Sequence, residues 1–313
     1  MKALVTGGAG FIGSNLVDAL LERGDEVVVL DNFASGRRER MGEFGDRIRL
    51  VEGDLRSYER VHAATKGVEV VFHQGALPSI PRSIQDPLTT NAVNVDGTLN
   101  VLLAARDEHV RRVVFASSSS IYGDAPGLPR VETQAPAPLA PYAVAKLAAE
   151  SYCRAFWRVY SLETVSLRYF NVFGPRQDPT SQYAAVVPRF INRVLNGEPP
   201  LIYGDGEQRR DFTYVGDVVQ ANLRAAEANG ISGESFNIAS GESRSVNELA
   251  RVVGKTLDSE IEPIYLDPRR GEIRDSAADI GKALRLLGYT RDAQFEDAIR
   301  STAEFFQTSV RDS

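Results

Sequence analysis

Thr6-Gly7-Gly8-Ala9-Gly10-Phe11-Ile12-Gly13 is the segment that most restricts what this chain can fold into. It follows a short apolar run at residues 3–5 and opens a helical pattern at 12–22. Gly7, Gly10 and Gly13 give G-x-x-G-x-x-G. In a strand–turn–helix unit the first two glycines allow a tight turn and a close approach to a pyrophosphate, and the third lets the helix pack on the sheet. The pyrophosphate then sits on free N–H groups at the helix N-terminus. Asp31 ends the second apolar run, in Val28-Val29-Leu30-Asp31-Asn32. A carboxylate there accepts hydrogen bonds from the adenosine ribose hydroxyls. It also repels a 2′-phosphate, whereas Arg37, Arg38 and Arg40 would receive one; the balance favours NAD over NADP. Asp54-Leu55, after the third run, is placed either to meet the adenine or to cap the helix starting near Ser57.

Further apolar runs, rich in Val and Ile, occur at 27–30, 48–51, 68–72, 113–116 and 165–167. Short unbroken runs of this kind suit parallel strands buried on both faces. Helical patterns at 12–22, 91–106 and 142–160 separate several of them. The alternation predicts βαβ units and a Rossmann-type doubly wound parallel sheet, an α/β fold. Beyond residue 172, helical runs at 184–195, 217–228, 246–257 and 280–287 lie between loops rich in Gly, Pro and Arg. This part is read as a smaller mixed α/β substrate-binding region. The expected division assigns 1–172, with a returning segment 213–238, to the dinucleotide domain, and 173–212 with 239–313 to the substrate region. Residues 123–141 carry five prolines and little periodicity. Long irregular connections inside compact domains are usually functional, the alternative being an exposed spacer.

Lys and Arg number 36 against 42 Asp and Glu, a net charge of −6. Such a chain lacks the global positive field of nucleic-acid binders, so no nucleic-acid partner is expected. Any anion must be held by local arginines and helix N-termini. The single cysteine, Cys153, lies in an apolar helical pattern and reads as a small buried hydrophobe, not a nucleophile. With no disulfide possible, a reducing compartment is expected. His62, His73 and His109 lack metal-ligand spacing, so no metal is expected. No apolar leader precedes the glycine loop, and no apolar stretch approaches the roughly 20 residues of a membrane span. A cytoplasmic protein without a membrane partner is expected.

Tyr142-Ala143-Val144-Ala145-Lys146 places a phenol and an ammonium four residues apart, on one face of a helix. The positive charge of Lys146 favours phenolate and is expected to lower the Tyr142 pKa, giving an acid or base usable near neutrality. Alone, such a pair occurs by chance on many helices and is more often a surface pair. It gains weight from Ser117-Ser118-Ser119-Ser120-Ile121-Tyr122-Gly123, which ends the strand at 111–116. That is the carboxyl edge of the sheet, where doubly wound folds bind ligands.

Taken together, the glycine loop, the serine run and the Tyr/Lys pair resemble the extended short-chain dehydrogenases/reductases. Arg168-Tyr169-Phe170-Asn171-Val172-Phe173-Gly174-Pro175-Arg176-Gln177-Asp178-Pro179 resembles the nucleotide-sugar enzymes among them, and most of all the UDP-hexose 4-epimerases, including those acting on UDP-N-acetylglucosamine. The similarity spans nearly the whole chain, including His73-Gln74-Gly75-Ala76 and Pro81-Arg82-Ser83-Ile84. It implies Ser118 as the catalytic hydroxyl, Tyr142 as the base, and Lys146 as its partner, also holding the nicotinamide ribose. It further implies cofactor contacts from Phe11, Ile12, Asn32, Ser35, Gly36, Asp54, Leu55, Gln74 and Ala76. Substrate contacts are implied for Ser118, Ser119, Tyr142, Asn171 and Val186. Arg210 and Arg269 would clamp the UDP pyrophosphate, since arginine offers a bidentate fork for phosphate; either could equally be a surface salt-bridge residue. Ser276 matches the position where a bulky Tyr excludes N-acetyl sugars, so acceptance of UDP-GlcNAc/GalNAc beside UDP-Glc/Gal is implied. A plain surface serine is the alternative.

The resemblance leaves several reactions to weigh. In 4-epimerisation Tyr142 takes the proton of the sugar 4-OH while hydride passes to NAD and later returns to the opposite face. A 4,6-dehydratase needs extra acid–base groups beside the catalytic hydroxyl. The places those enzymes fill with carboxylates are Ser119, Ser120 and Ile121 here, which argues against dehydration. UDP-glucuronate decarboxylases have a Glu where this chain has Ser120. UDP-glucuronate 4-epimerisation stays open, as does a non-catalytic NAD-sensing role on the same fold. The resemblance also implies a homodimer, paired through the helices at 91–106 and 142–160, the second carrying Phe156 and Trp157; so apolar a helix could instead be core.

Overall fold

In the computed structural model, residues 1–179, 185–268 and 274–311 are described. Seven parallel strands form the main sheet. Six are β1 (Lys2–Thr6), β2 (Glu26–Asp31), β3 (Ile48–Glu52), β4 (Val70–His73), β5 (Arg112–Ser118) and β6 (Glu163–Tyr169). The seventh, Ser235–Ile238, lies at the edge beside β6, and the order from that edge is β6, β5, β4, β1, β2, β3. This is the expected Rossmann-type doubly wound sheet. Its register stacks apolar residues side by side, Val5 opposite both Val29 and Phe72. Central strands are buried on both faces, which explains their unbroken Val/Ile composition.

Helices α1 (Phe11–Glu22), α2 (Arg38–Phe44), α3 (Tyr58–Thr65), α4 (Ile80–Gln85), α5 (Pro87–Asn91), α6 (Gly97–Asp107) and α7 (Pro141–Tyr160) flank the sheet. One core, on the α1 side, includes Leu16, Val17, Val5 and Phe72. The other, under α3, α6 and α7, includes Val61, Val101, Ala149 and Phe156. The helical pattern read at 91–106 is not one helix. It splits into α5, a π-helical turn at Ala92–Asp96 and α6. Asp86 caps α5, accepting from the Thr89 N–H at 3.0 Å, and Pro87 follows at the first position.

The later helices are α8 (Val186–Leu195), α9 (Val215–Glu227), α10 (Val246–Thr256), α11 (Gly281–Leu287) and α12 (Phe295–Arg311). Phe190, Ile191, Leu249, Val253, Ile299 and Phe306 unite α8, α10 and α12 around a third core. Helix α9 instead joins the core of the main sheet through Val218, Ala221 and Ala225. The proline-rich segment after Gly123 is tied down: the Arg130 N–H donates to the Ala277 carbonyl at 2.8 Å, and the Arg130 carbonyl accepts from the Asp279 N–H at 2.9 Å. That segment therefore braces the stretch carrying Ser276.

Candidate active site

The strand order reverses between β1 and β4, and there a cleft of about 340 Å³ opens at the carboxyl ends of the strands. The glycine loop forms its floor. Gly7 has φ +68°, and a Cβ on it would stand 2.6 Å from the Gly75 Cα. A Cβ on Gly13 would stand 2.1 Å from the Gly7 carbonyl oxygen. Gly10 starts α1 without a side-chain cap. The first-turn N–H groups are thus left for an anion.

Asp31 is buried and holds this floor in place. Its carboxylate accepts from the Ala9 N–H at 2.9 Å and from the Phe33 N–H at 2.7 Å. Burial pushes its pKa up, and the hydrogen bonds from Phe33 and Ala9 oppose that. A carboxylate has roughly four acceptor sites, so two remain for ribose hydroxyls. The three nearby arginines are otherwise engaged. Arg37 pairs with Asp178 at 3.0 Å, Arg38 with Glu52 at 2.7 Å, and Arg40 donates to the carbonyls of Ala9 and Arg176. A 2′-phosphate would have to compete with these partners, so the site fits NAD.

Gly7, Gly10, Phe11, Ile12, Gly13, Asp31, Asn32, Ser35, Asp54, Leu55, Gln74, Ala76, Tyr142 and Lys146 all line the cleft. Gly36 does not. It packs behind the loop, where a Cβ would meet that of Ala9 at 2.7 Å. Asp54 does not cap α3; its carboxylate accepts from the Arg56 backbone N–H, ahead of the helix, at 2.9 Å. Ser57 caps α3 itself, while Asp54 binds Arg56 at 2.8 Å and accepts from Asn32 at 2.9 Å. The hydrogen bond from Arg56 draws the Asp54 pKa down to about 2. Sequence reasoning missed Gly53, Arg56, Thr89 and Tyr169, which also line the cleft. Tyr169 ends β6, and its position beside the quoted Asn171 motif was the available signal.

Ser118 ends β5, and its hydroxyl accepts from the Ser120 N–H at 3.2 Å. Tyr142 and Lys146 lie one turn apart on α7. Lys146 Nζ donates to the Ala116 carbonyl at 2.6 Å and stands 4.9 Å from the Phe115 ring centroid. Burial pushes the Lys146 ammonium down to about 8. Burial pushes the Tyr142 phenol above its ordinary value, and a hydrogen bond with Ser118 opposes that. The expected lowering of Tyr142 by Lys146 is therefore corrected: Nζ is committed to a carbonyl, and loss of solvent dominates. His73 lies beneath, bonded to Thr6 Oγ1 at 2.7 Å and Thr98 Oγ1 at 3.0 Å. Burial, aided by the Lys146 charge, holds His73 neutral with its pKa at about 3.

A second cavity, of about 270 Å³, begins two residues past β6. Asn171, Val186, Arg189, Tyr203, Gln208 and Arg210 are among its lining residues. Asn171 Nδ2 donates to the Asp211 carbonyl at 3.0 Å, and Arg210 Nη1 to the Arg274 carbonyl at 2.7 Å. Ser276 lines neither cavity; its N–H donates to the Arg209 carbonyl at 3.0 Å, beside Arg210. Ser118 and Ser119 also fall outside both linings. Arg269 lies outside the described residues. Among the described residues no group of three or more His, Cys, Asp or Glu could hold a metal, and no helix is long and apolar enough to cross a membrane.

Fold and cleft together define a dinucleotide-binding enzyme of the extended short-chain dehydrogenase/reductase type. Residues 3–239 match the NAD dependent epimerase/dehydratase family, and the chain belongs to that family. It is 39% identical to a UDP-glucose 4-epimerase of Mycolicibacterium smegmatis, over 98% of this chain and 99% of that protein. It is 31% identical to a UDP-N-acetyl-alpha-D-glucosaminuronate decarboxylase of Bacillus cytotoxicus, over 99% of each. The solved UDP-N-acetylglucosamine 4-epimerase from Methanobrevibacter ruminantium, in complex with UDP-N-acetylmuramic acid, superposes with a TM-score of 0.94 at 40% identity, covering 98% of each chain. The likeness to UDP-hexose 4-epimerases read from the motifs is thus borne out, and NAD is the family's cofactor.

Proposed function

We propose that this protein catalyses NAD-dependent 4-epimerisation of a UDP-hexose, UDP-GlcNAc/UDP-GalNAc and/or UDP-Glc/UDP-Gal, through a transient 4-keto sugar. The carrying observation is the set Ser118, Tyr142 and Lys146 at the carboxyl end of β5, followed by a turn, Ser119–Tyr122, that contains no carboxylate. Bound NAD supplies the hydride acceptor and donor. Tyr142 takes and returns the proton of the 4-OH. Ser118 hydrogen-bonds the same oxygen and steadies the phenol. Lys146, one turn along α7 and anchored to the Ala116 carbonyl, supplies a positive charge on the same helix face and would hold the nicotinamide ribose. Asn171, Val186 and Arg210 hold the UDP portion, and the small Ser276 admits an N-acetyl group. Decarboxylation and dehydration are disfavoured by Ser119 and Ser120; UDP-glucuronate 4-epimerisation uses the same residues and is the alternative substrate reading.

We assign residues 1–172 with 213–238 to NAD binding and 173–212 with 239–313 to the nucleotide sugar; the separate core of α8, α10 and α12 supports this, although Ala283, Leu287 and Tyr289 join the core of the main sheet. A cytoplasmic homodimer is part of the proposal. Phe156 is buried and so belongs to the core, while Trp157, packed against Gly233, is only half-buried. Ile84, Leu88, Val144 and Val159 are more than half exposed, on α4, α5 and α7. They offer an apolar face for a second copy, and a monomeric mass at micromolar concentration would remove this part. The experiment for the mechanism is Tyr142→Phe. Loss of its base is expected to lower kcat by about 10²–10⁴-fold while nucleotide binding persists. Unchanged turnover would refute the assignment.

A further inference from the structure

We propose that Glu150 is a positioning residue, whose carboxylate sets the separation of Ser118 and Tyr142 by fixing the register of α7 on β5. The proposal rests on the reading of Tyr142 as the catalytic base and Ser118 as its hydrogen-bonding partner. Glu150 lies eight residues beyond Tyr142, about 12 Å along the helix axis, and is only 4% exposed. Its Oε2 accepts from Ser117 Oγ at 2.6 Å. Its Oε1 accepts from Ser235 Oγ at 2.9 Å and from Arg168 Nη2 at 2.6 Å, and Arg168 Nε approaches both oxygens at 3.1 and 3.2 Å. Ser117, Arg168 and Ser235 stand on three consecutive strands, β5, β6 and the edge strand. Arg168 is locked in turn, donating to the Tyr122 hydroxyl at 2.7 Å, which donates to Asn237 Oδ1 at 2.6 Å.

A buried ion pair is a poor way to hold a helix by stability alone, because apolar side chains of equal volume often do as well. Directed bonds from a buried polar group specify register in some helix assemblies, a role separate from stability. Two such ties join α7 to β5 at successive residues: Lys146 to the Ala116 carbonyl, and Glu150 to Ser117. Ser118 is the next residue on that strand. Because α7 is one continuous helix from Pro141 to Tyr160, a slip at Glu150 carries Tyr142 past Ser118 by the same distance.

The test compares Ser117→Ala with Ser235→Ala, using UDP-glucose and UDP-N-acetylglucosamine as substrates. Each removes one hydrogen bond from the same carboxylate, but only Ser117 shares a strand with Ser118. A misplacement of about 1 Å costs about 10²-fold in rate, so a partial slip is expected to cost roughly tenfold. Ser117→Ala should therefore lower kcat roughly tenfold with KM within about twofold, while Ser235→Ala keeps kcat within about twofold at a similar loss of Tm. Glu150→Asp, which keeps the charge but withdraws it by one methylene, should reproduce the kcat loss. Equal effects of the two serine variants on kcat, or a wild-type kcat in Ser117→Ala, would overturn the proposal. Tyr142→Phe in the same assay separates the two readings. If it stays active, the acid–base reading of Tyr142 fails and the positioning role with it. If it is inactive while Ser117→Ala is normal, only the positioning role fails.

Discussion

Gly13→Ala probes the floor of the cofactor cleft with a single methyl group. The added Cβ would lie 2.1 Å from the Gly7 carbonyl oxygen, 2.8 Å from the Gly7 carbonyl carbon and 2.9 Å from the Gly8 Cα. Ordinary contact begins near 3.4 Å, leaving a shortfall of about 1.3 Å against backbone that has no side chain to swing away. Gly7 and α1 must therefore part. Gly7 is held by its N–H to the Leu30 carbonyl at 2.8 Å, and its own carbonyl accepts from the Gly10 N–H at 3.0 Å. Alanine in a helix gains about 1 kcal/mol over glycine. Overpacking costs about 1–3 kcal/mol. The net is a destabilisation of about 0–2 kcal/mol, which the fold survives. Cofactor binding suffers more, because charge-assisted hydrogen bonds from the loop are worth about 1.5–3 kcal/mol each. Losing one weakens NAD binding by about 10–100-fold. Calorimetric titration of cofactor-stripped protein with NAD, beside the Tm, separates the two effects. A Gly13→Ala protein binding NAD like the wild type would refute the assignment of this loop to the pyrophosphate.

Two further outcomes are expected, the first from the buried imidazole and the second from the proposed role of Ser276. His73 titrates at about 3 when folded and near 6.5 when unfolded, so the unfolded chain takes up a proton that the folded one refuses between those values. Its contribution to stability is complete above pH 6.5 and is lost as pH falls toward 3, by up to about 1.4 kcal/mol per pH unit. His73→Gln should flatten the acid limb of a series of urea midpoints between pH 4.5 and 7; an unchanged slope would contradict the buried neutral imidazole. Ser276→Tyr should suppress turnover of UDP-GlcNAc by about tenfold or more while sparing UDP-glucose, since one clashing group in a pocket is worth about 1–3 kcal/mol. Equal rates with both sugars in that variant would remove Ser276 from the substrate pocket.

Much of the sheet was legible because its strands are short, apolar and parallel, and every run read before residue 172 is a strand of it. The edge strand Ser235–Ile238 escaped for a physical reason. Ser235 and Asn237 interrupt its apolar pattern, and both are spent on the polar network around Glu150 and Tyr122. Helix α12 was missed although Phe295, Ala298, Ile299, Ala303 and Phe306 recur at helical spacing; two alanines and an intervening Thr302 dilute the signal. In the cleft, the glycines and Asp31 could be read because their chemistry depends on local spacing. The partners of Asp54 could not be ranked: Arg56 is two residues away and competes locally, while Asn32 reaches it only once two loops meet. Nor could the direction of the Tyr142 shift be read, because it depends on burial and on Lys146 finding the Ala116 carbonyl. The pair Glu150 and Arg168 is likewise non-local, joined across a helix and a strand.

The central claim is that Ser118, Tyr142 and Lys146 serve the oxidation and re-reduction of one carbon of a UDP-sugar by bound NAD, with no second chemistry. Incubating the holoenzyme with UDP-glucose, UDP-N-acetylglucosamine and UDP-glucuronate separately, without added cofactor, tests it most directly. The account predicts conversion of at least one of the first two to its C4 epimer, with no net rise in absorbance from NADH and no carbon dioxide released. Decarboxylation of UDP-glucuronate, or stoichiometric NADH with no epimer formed, would contradict it.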